Sequence, residues 1–278
     1  PRGVATVTLN RPEVNNAYDG SLLDGIMAAM DALGAQPSLR VVVLTGAGRH
    51  FQAGADLGWL QWGAQGSRDD NLDASRLTAR AVQRLNALPV PTVALVQGAC
   101  FGGGTGIVAA CDVAIAADNA QFSIAETRWG LMAGIIIPQL ADAIGVRQIR
   151  RYALTGERFD AHEARRIGLV HEVVAAGSLA EAGARVVDHL LQNAPKANAQ
   201  TKALALEHAW GDVPHQVFER LVAQRDPAAL ATAYRSAHDG LPEPLQAGPA
   251  GHQPSPPGAS HCWALPAVQF SARSSRFL

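Results

Sequence analysis

The chain has 278 residues, 48% of them apolar and only 17% charged, with a formal net charge of −1. That length suits one globular domain plus an appendage, and the near-neutral balance speaks against general attraction to nucleic acid or to an anionic membrane. Cys100, Cys111 and Cys262 lack C-x-x-C spacing and the nine histidines lack H-E-x-x-H spacing, so no metal site or disulfide framework is expected and a reducing cytoplasm is. No run reaches transmembrane length and no signal peptide is visible. Pro1 is read as lying a few residues downstream of the native start.

Residues 4–9 read as a strand rich in β-branched side chains, stopped by Asn10-Arg11-Pro12. Leu22, Leu23, Ile26, Met27, Met30 and Leu33 then recur at helical spacing. Residues 41–45 form a continuous apolar run, the pattern of a strand buried on both faces, ending in Gly46-Ala47-Gly48. A helix is expected after Asp56, and Leu77, Val82, Leu85 and Leu88 mark another. Residues 92–96 are the next buried strand, running into a glycine-dense turn at 98–106, and 113–117 is one more. Asp160-Ala-His-Glu163 has the form of a capping box, with Gly168 as the stop. Leu179, Ala182, Val186, Val187 and Leu190 make a last helical stripe.

Strands and helices thus alternate over residues 1–175, with mostly helix over 176–238, an α/β order with a helical C-terminal region. Residues 241–258 are crowded with Pro, Gly, Ala and Ser and show neither period. Such a stretch buries too little apolar surface to offset its ordering entropy. Residues 239–278 are therefore expected to be an atypical, mostly disordered tail.

Three segments carry candidate chemistry. In Phe51-Gln-Ala-Gly-Ala-Asp56, small residues at Ala53, Gly54 and Ala55 let a ligand approach the backbone, and Asp56 is placed to cap the next helix. From local spacing alone, a turn that needs small residues is the better reading. In Gly98-Ala-Cys-Phe-Gly102-Gly103-Gly104-Thr-Gly106, three consecutive glycines at a helix start expose amides to a developing negative charge. One glycine would suffice for a turn, so a ligand reading gains weight here.

Gly104-x-Gly106-x-x-Ala109 followed by Asp118 also matches a dinucleotide fingerprint. The intervening helix has room for only about two turns, which is short for such a unit, and the motif sits mid-chain. The third segment is Ile124-Ala-Glu126-Thr-Arg-Trp129-Gly-Leu-Met-Ala-Gly134. A carboxyl among Trp129, Leu131 and Met132 should be harder to ionise, which suits a general acid/base. Taken alone, a surface pair of Glu126 with Arg128 is the commoner situation.

Together the segments resemble the crotonase (enoyl-CoA hydratase/isomerase) family. The resemblance runs from Val4 to about Trp210 and includes Leu9-Asn-Arg-Pro-Glu13, Cys111-Asp112 and Thr155-Gly-Glu-Arg-Phe159 besides the three segments. It implies a crotonase-like spiral of ββα units with a helical C-terminal region that supports trimers or dimers of trimers. It implies an oxyanion hole made by the N–H groups of Ala55 and Gly103, with Glu126 as acid/base. It further implies CoA or substrate contacts at Val14, Ala53, Asp56, Leu57, Gly102, Trp129 and Gly134. The resemblance implies an acyl-CoA thioester as substrate, CoA entering as part of it, with no other cofactor.

One departure stands out. Family hydratases often carry a second glutamate shortly after the triple glycine, where this chain has Gly106. A hydratase working with Glu126 alone or with the substrate's own carboxylate, a double-bond isomerase, and a non-catalytic acyl-CoA-binding protein all remain open. The hydratase is favoured, because residues 125–131, 135–138 and 151–160 resemble hydratases of branched glutaconyl-CoA esters (isohexenylglutaconyl- or 3-methylglutaconyl-CoA). Gly106→Glu is expected to restore a two-carboxylate arrangement.

Overall fold

The computed structural model describes residues 2–207, 209 and 268–271. A six-stranded sheet forms the floor of the molecule. Its strands are β1 (Val4–Leu9), β2 (Val41–Gly46), β3 (Thr92–Val96), β5 (Val113–Ala117), β8 (Glu172–Val174) and β9 (Val268–Ser271), in the spatial order β8-β5-β3-β2-β1-β9. All neighbours are parallel except β9 on β1. A second sheet of β4 (Ala99–Phe101), β6 (Gln121–Ser123) and β7 (Arg158–Asp160) stands in the order β4-β6-β7.

The helices follow from the sequence period. Helix α1 (Gly20–Gly34) buries Leu22, Leu23, Ile26, Met30 and Leu33 and starts where Asp19 accepts from the Leu22 N–H. Helices α2 (Leu57–Gln65), α3 (Arg68–Asn86), α4 (Gly103–Ala109) and α5 (Ile137–Thr155) come next in the chain. With α1, members of this set share the main core with one face of the large sheet. On the opposite face Val41, Val43 and Val93 pack on Val187 of α7 (Leu179–Gln192). Sandwiching explains why β2 reads as unbroken apolar residues rather than alternating ones. Helices α6 (Ala161–Ile167) and α8 (Pro195–Glu207) complete the C-terminal part.

One expected cap turns out differently, and one arises where none was expected. Asp160 does accept from the Glu163 N–H at 2.8 Å, but the Glu163 carboxylate does not return to close a box. It takes Arg166 Nε at 2.5 Å and the Tyr152 hydroxyl instead. Hydrogen bonding to Arg166 first and to Tyr152 next holds its pKa down at about 2. An arginine one turn away is a stronger partner for the carboxylate than a neutral amide. A complete capping box occurs elsewhere, between Ser67 and Asp70 at the start of α3, where the sequence reading did not place one.

Four residues of the stretch read as tail, Val268–Ser271, form β9 and pair antiparallel with β1. They cover backbone groups of β1 that would otherwise form an open sheet edge. The other residues of 239–278 lie outside the described part, as do 210–238. No helix among the described residues is long and apolar enough to cross a membrane.

Candidate active site

The first turn leaves β2 and enters α2. Its backbone groups can be accounted for one by one. The Ala53 N–H donates to Asn15 O at 3.1 Å, and the Asp56 N–H donates to Tyr18 O at 2.9 Å. The buried Gln52 side chain closes on Gly54 from both sides: Nε2 donates to Gly54 O at 2.7 Å and Oε1 accepts the Gly54 N–H at 3.0 Å. Tyr18 and Ala55 form an isolated parallel bridge in which Tyr18 bonds to residues 54 and 56. In that pattern the N–H of the residue between them, Ala55, points away from the bridge. Among the described residues it donates to no protein acceptor.

Asp56 is committed to holding this turn. Its Oδ1 caps α2 through the Gly58 and Trp59 N–H groups, at 2.8 and 3.2 Å, and its Oδ2 lies 3.2 Å from Arg11 Nη2.

The second turn runs from β4 into α4. The Gly102 N–H donates to Ser123 O, and the Thr105 N–H and hydroxyl both return to Gly102 O. Gly103 opens the helix, so its N–H has no residue one turn back to donate to. Among the described residues it too donates to no protein acceptor. Each glycine here has its own reason. Gly102 has φ 51° and ψ −122°, a region L-residues avoid. A Cβ on Gly103 would lie 2.7 Å from Tyr18 Cε1, and one on Gly104 would lie 2.5 Å from Gln52 Oε1. His50 supports the turn from behind, its Nδ1 accepting the Ala99 N–H at 2.9 Å. Burial, then the charge on Arg49, lowers the His50 pKa, so the imidazole stays a neutral acceptor.

Glu126 reaches the same place from β6. It begins a single turn of 3-10 helix, Glu126–Trp129, which ends at Gly130 in the left-handed region. The Thr127 hydroxyl pins this turn to Ala153 O at 2.8 Å. The Glu126 carboxylate lies against Gly102: a Cβ built there would be 3.0 Å from Oε1 and 3.9 Å from Oε2. Oε2 is shielded from solvent. The acid therefore stands beside the residue that precedes the Gly103 amide. Arg128, the alternative partner, packs its side chain on Gly156, where a Cβ would meet Nε at 2.8 Å.

The position after the triple glycine is closed. A Cβ on Gly106 would lie 2.2 Å from Ile136 Cγ2 and 2.6 Å from Ile136 Cβ, and Ile136 is fully in the core. Gly106→Glu therefore collides with Ile136 and needs that residue to move before a second carboxylate fits, a cost the sequence did not show. The branched side chain of Ile136 occupies the space.

The remaining sequence candidates spread around these turns. Val14 closes a short 3-10 turn, Pro12–Val14, next to Asn15, which receives the Ala53 N–H. Leu57 is 39% exposed at the start of α2. Trp129 is half-buried, and Gly134 is buried ahead of α5. Sequence reading assigned no role to Tyr18, Arg11, Gln52 or Ile136. Arg11, Gln52 and Ile136 sit inside segments that were singled out, but nothing local announces what they hold. Tyr18 and Ile136 reach the site only through long-range contacts, backbone hydrogen bonds and ring packing for Tyr18 and side-chain packing for Ile136. Cys100 and Cys111 are buried free thiols; burial raises both, Cys111 to about 12, so neither serves as a nucleophile. Among the described residues no cluster of three His, Cys, Asp or Glu could hold a metal ion.

Residues 1–221 match the family model described as enoyl-CoA hydratase/isomerase. The chain is 35% identical to a hydroxycinnamoyl-CoA hydratase-lyase of Pseudomonas fluorescens, with 69% of this chain and 71% of the relative covered. It is 31% identical to a mitochondrial Delta(3,5)-Delta(2,4)-dienoyl-CoA isomerase of Dictyostelium discoideum, over 74% and 73% respectively. Among solved structures, Pseudomonas aeruginosa AtuE superposes with a TM-score of 0.71 at 40% identity, covering 73% of this chain and 80% of that one. With the fold, the matched length and these identities in agreement, the chain belongs to the enoyl-CoA hydratase/isomerase family of crotonase-fold proteins.

Proposed function

We propose that the protein adds water across the double bond of a 2-enoyl-CoA thioester, with Glu126 as its single acid/base and the Ala55 and Gly103 amides as its oxyanion hole. The observation that carries this reading is the contact of the Glu126 carboxylate with Gly102, next to an amide that no other described residue uses. In the forward step the carboxylate takes a proton from water as the water oxygen bonds to the β-carbon. The π electrons move to the thioester oxygen, where two fixed N–H groups meet the charge as it forms. Each such donor is worth about 3–4 kcal/mol of barrier. The carboxylic acid then returns its proton to the α-carbon, the carbonyl re-forms, and Glu126 is again a carboxylate.

A substrate of the branched glutaconyl type fits Gly106 standing where a second acid is often found, because its own carboxylate brings one. The resemblance of residues 125–131, 135–138 and 151–160 to hydratases of isohexenylglutaconyl- or 3-methylglutaconyl-CoA supports it. Ile136 standing over Gly106 also favours a second reading, a double-bond isomerase, in which one base carries a proton between two carbons. Assembly into trimers or paired trimers belongs to the same proposal. The deciding experiment is incubation with 2-enoyl-, 3-enoyl- and glutaconyl-type CoA esters, with products followed by mass. A product heavier by one water is expected. A product of unchanged mass with a moved double bond would replace the hydratase with the isomerase, and tight binding without any product would sink both.

A further inference from the structure

Tyr18 touches both turns at once. Its main chain is locked to the first, bonded to Gly54 O and to the Asp56 N–H at 2.9 Å each. Its ring, on a residue only 8% exposed, packs on the second, within 2.7 Å of where a Gly103 Cβ would be. Arg11 keeps the first turn from sliding relative to Tyr18. Its Nη1 donates to Ala17 O at 2.6 Å, and its Nη2 lies 3.2 Å from both Asp19 Oδ2 and Asp56 Oδ2. Those two carboxylates cap α1 and α2, so the frame is tied to two helices. A small void of about 10 Å³ adjoins both Tyr18 and Gly103, bordered also by Leu23, Ile26, Val82 and Ile107. Gly103 stands against the ring closely enough that no side chain fits between them.

We propose that Tyr18 is a positioning residue for the oxyanion hole: its ring sets the separation of the Ala55 and Gly103 amides so that one thioester oxygen meets both. This rests on the hydratase reading of those amides. Tyr18 acts through the two donors and not on the substrate. Such donors must stand within about 0.5 Å of their productive positions, and a displacement of about 1 Å costs on the order of 100-fold in rate. A smaller side chain lets the start of α4 settle toward the first turn. The donors then fit the oxygen of the enolate less well, while contacts to the rest of the CoA ester persist.

The test compares Tyr18→Ala, Tyr18→Leu and Tyr18→Phe. In each, kcat and KM are measured in the otherwise native protein. The carbonyl stretch of a bound, isotope-labelled 2-enoyl-CoA is measured in a Glu126→Gln background that prevents turnover. The expected result is a roughly 10- to 100-fold loss of kcat for Ala and Leu, KM changing far less, and a carbonyl band displaced back toward that of free ester. Phe, which keeps the ring, should recover most of the band shift and rate. A folded Ala or Leu variant with the native band and kcat would overturn the role, and so would a Phe variant as impaired as Ala. If Tyr18→Ala fails to fold, Tyr18→Leu decides. A wild-type site that does not shift the carbonyl band at all would instead overturn the underlying oxyanion reading.

Discussion

The two turns that Tyr18 joins expose an amide by different means, and the difference governs how each can fail. The Gly103 amide is available because a helix begins there, which is a local property of residues 102–104. The Ala55 amide is available because Tyr18, far away in sequence, takes up the groups on either side of it. The Gly103 turn fails through its own backbone conformation. The Ala55 turn fails through its supports.

Removing the acid tests what the turns do without it. Glu126→Gln should lower kcat by about 10²–10⁴-fold and leave CoA-ester affinity nearly intact; a variant keeping most of its kcat would remove Glu126 from the chemistry. Next in size is Gly102→Ala, which forces a Cβ to 3.0 Å from Glu126 Oε1 at a positive φ. Its kcat should fall by about 10²–10³-fold, the cost of losing one donor.

Gly106→Glu, colliding with Ile136, should destabilise the protein by about 1–3 kcal/mol in denaturant melts. Pairing it with Ile136→Gly should relieve the clash, and equal stability of the single variant and the wild type would show that Ile136 yields freely. Asp56→Ala strikes the supports of the other turn. It should cost about 1–2 kcal/mol of stability through the lost cap, and less kcat than Gly102→Ala. The reverse ranking of rates would break the contrast drawn above.

The smallest effect is pH-dependent and belongs to the Gly103 turn. His50 has a folded pKa below 6.5 because burial opposes its charge. Between that value and about 6.5 the unfolded chain binds the extra proton, so stability is complete above about pH 6.5 and declines as pH falls through the folded pKa. His50→Gln should flatten this limb of a stability–pH curve; an unchanged curve would free the Ala99–His50 bond of that role.

Period and composition already expose most of the core. The helical stripe from Leu22 to Leu33, the apolar run of β2 and the glycine stop at Gly168 describe short-range preferences that the folded chain retains. Caps were less legible, because side chains such as Glu163 choose among partners that local spacing does not rank. Strand β9 could not be read either, since a four-residue edge strand has no period of its own and draws its pairing from β1.

Taken by itself, the sequence determined the family and the α/β order, and it singled out Glu126 and the two small-residue turns, because these are carried by residue types at fixed spacing. Only the tertiary structure decided that the acid rests on Gly102, that Tyr18 spans both turns and that Ile136 fills the place of a second carboxylate. Each of those outcomes depends on which side chains are brought together across long stretches of chain. Close packing, in which two groups cannot share one volume, selects among arrangements that spacing alone leaves equal.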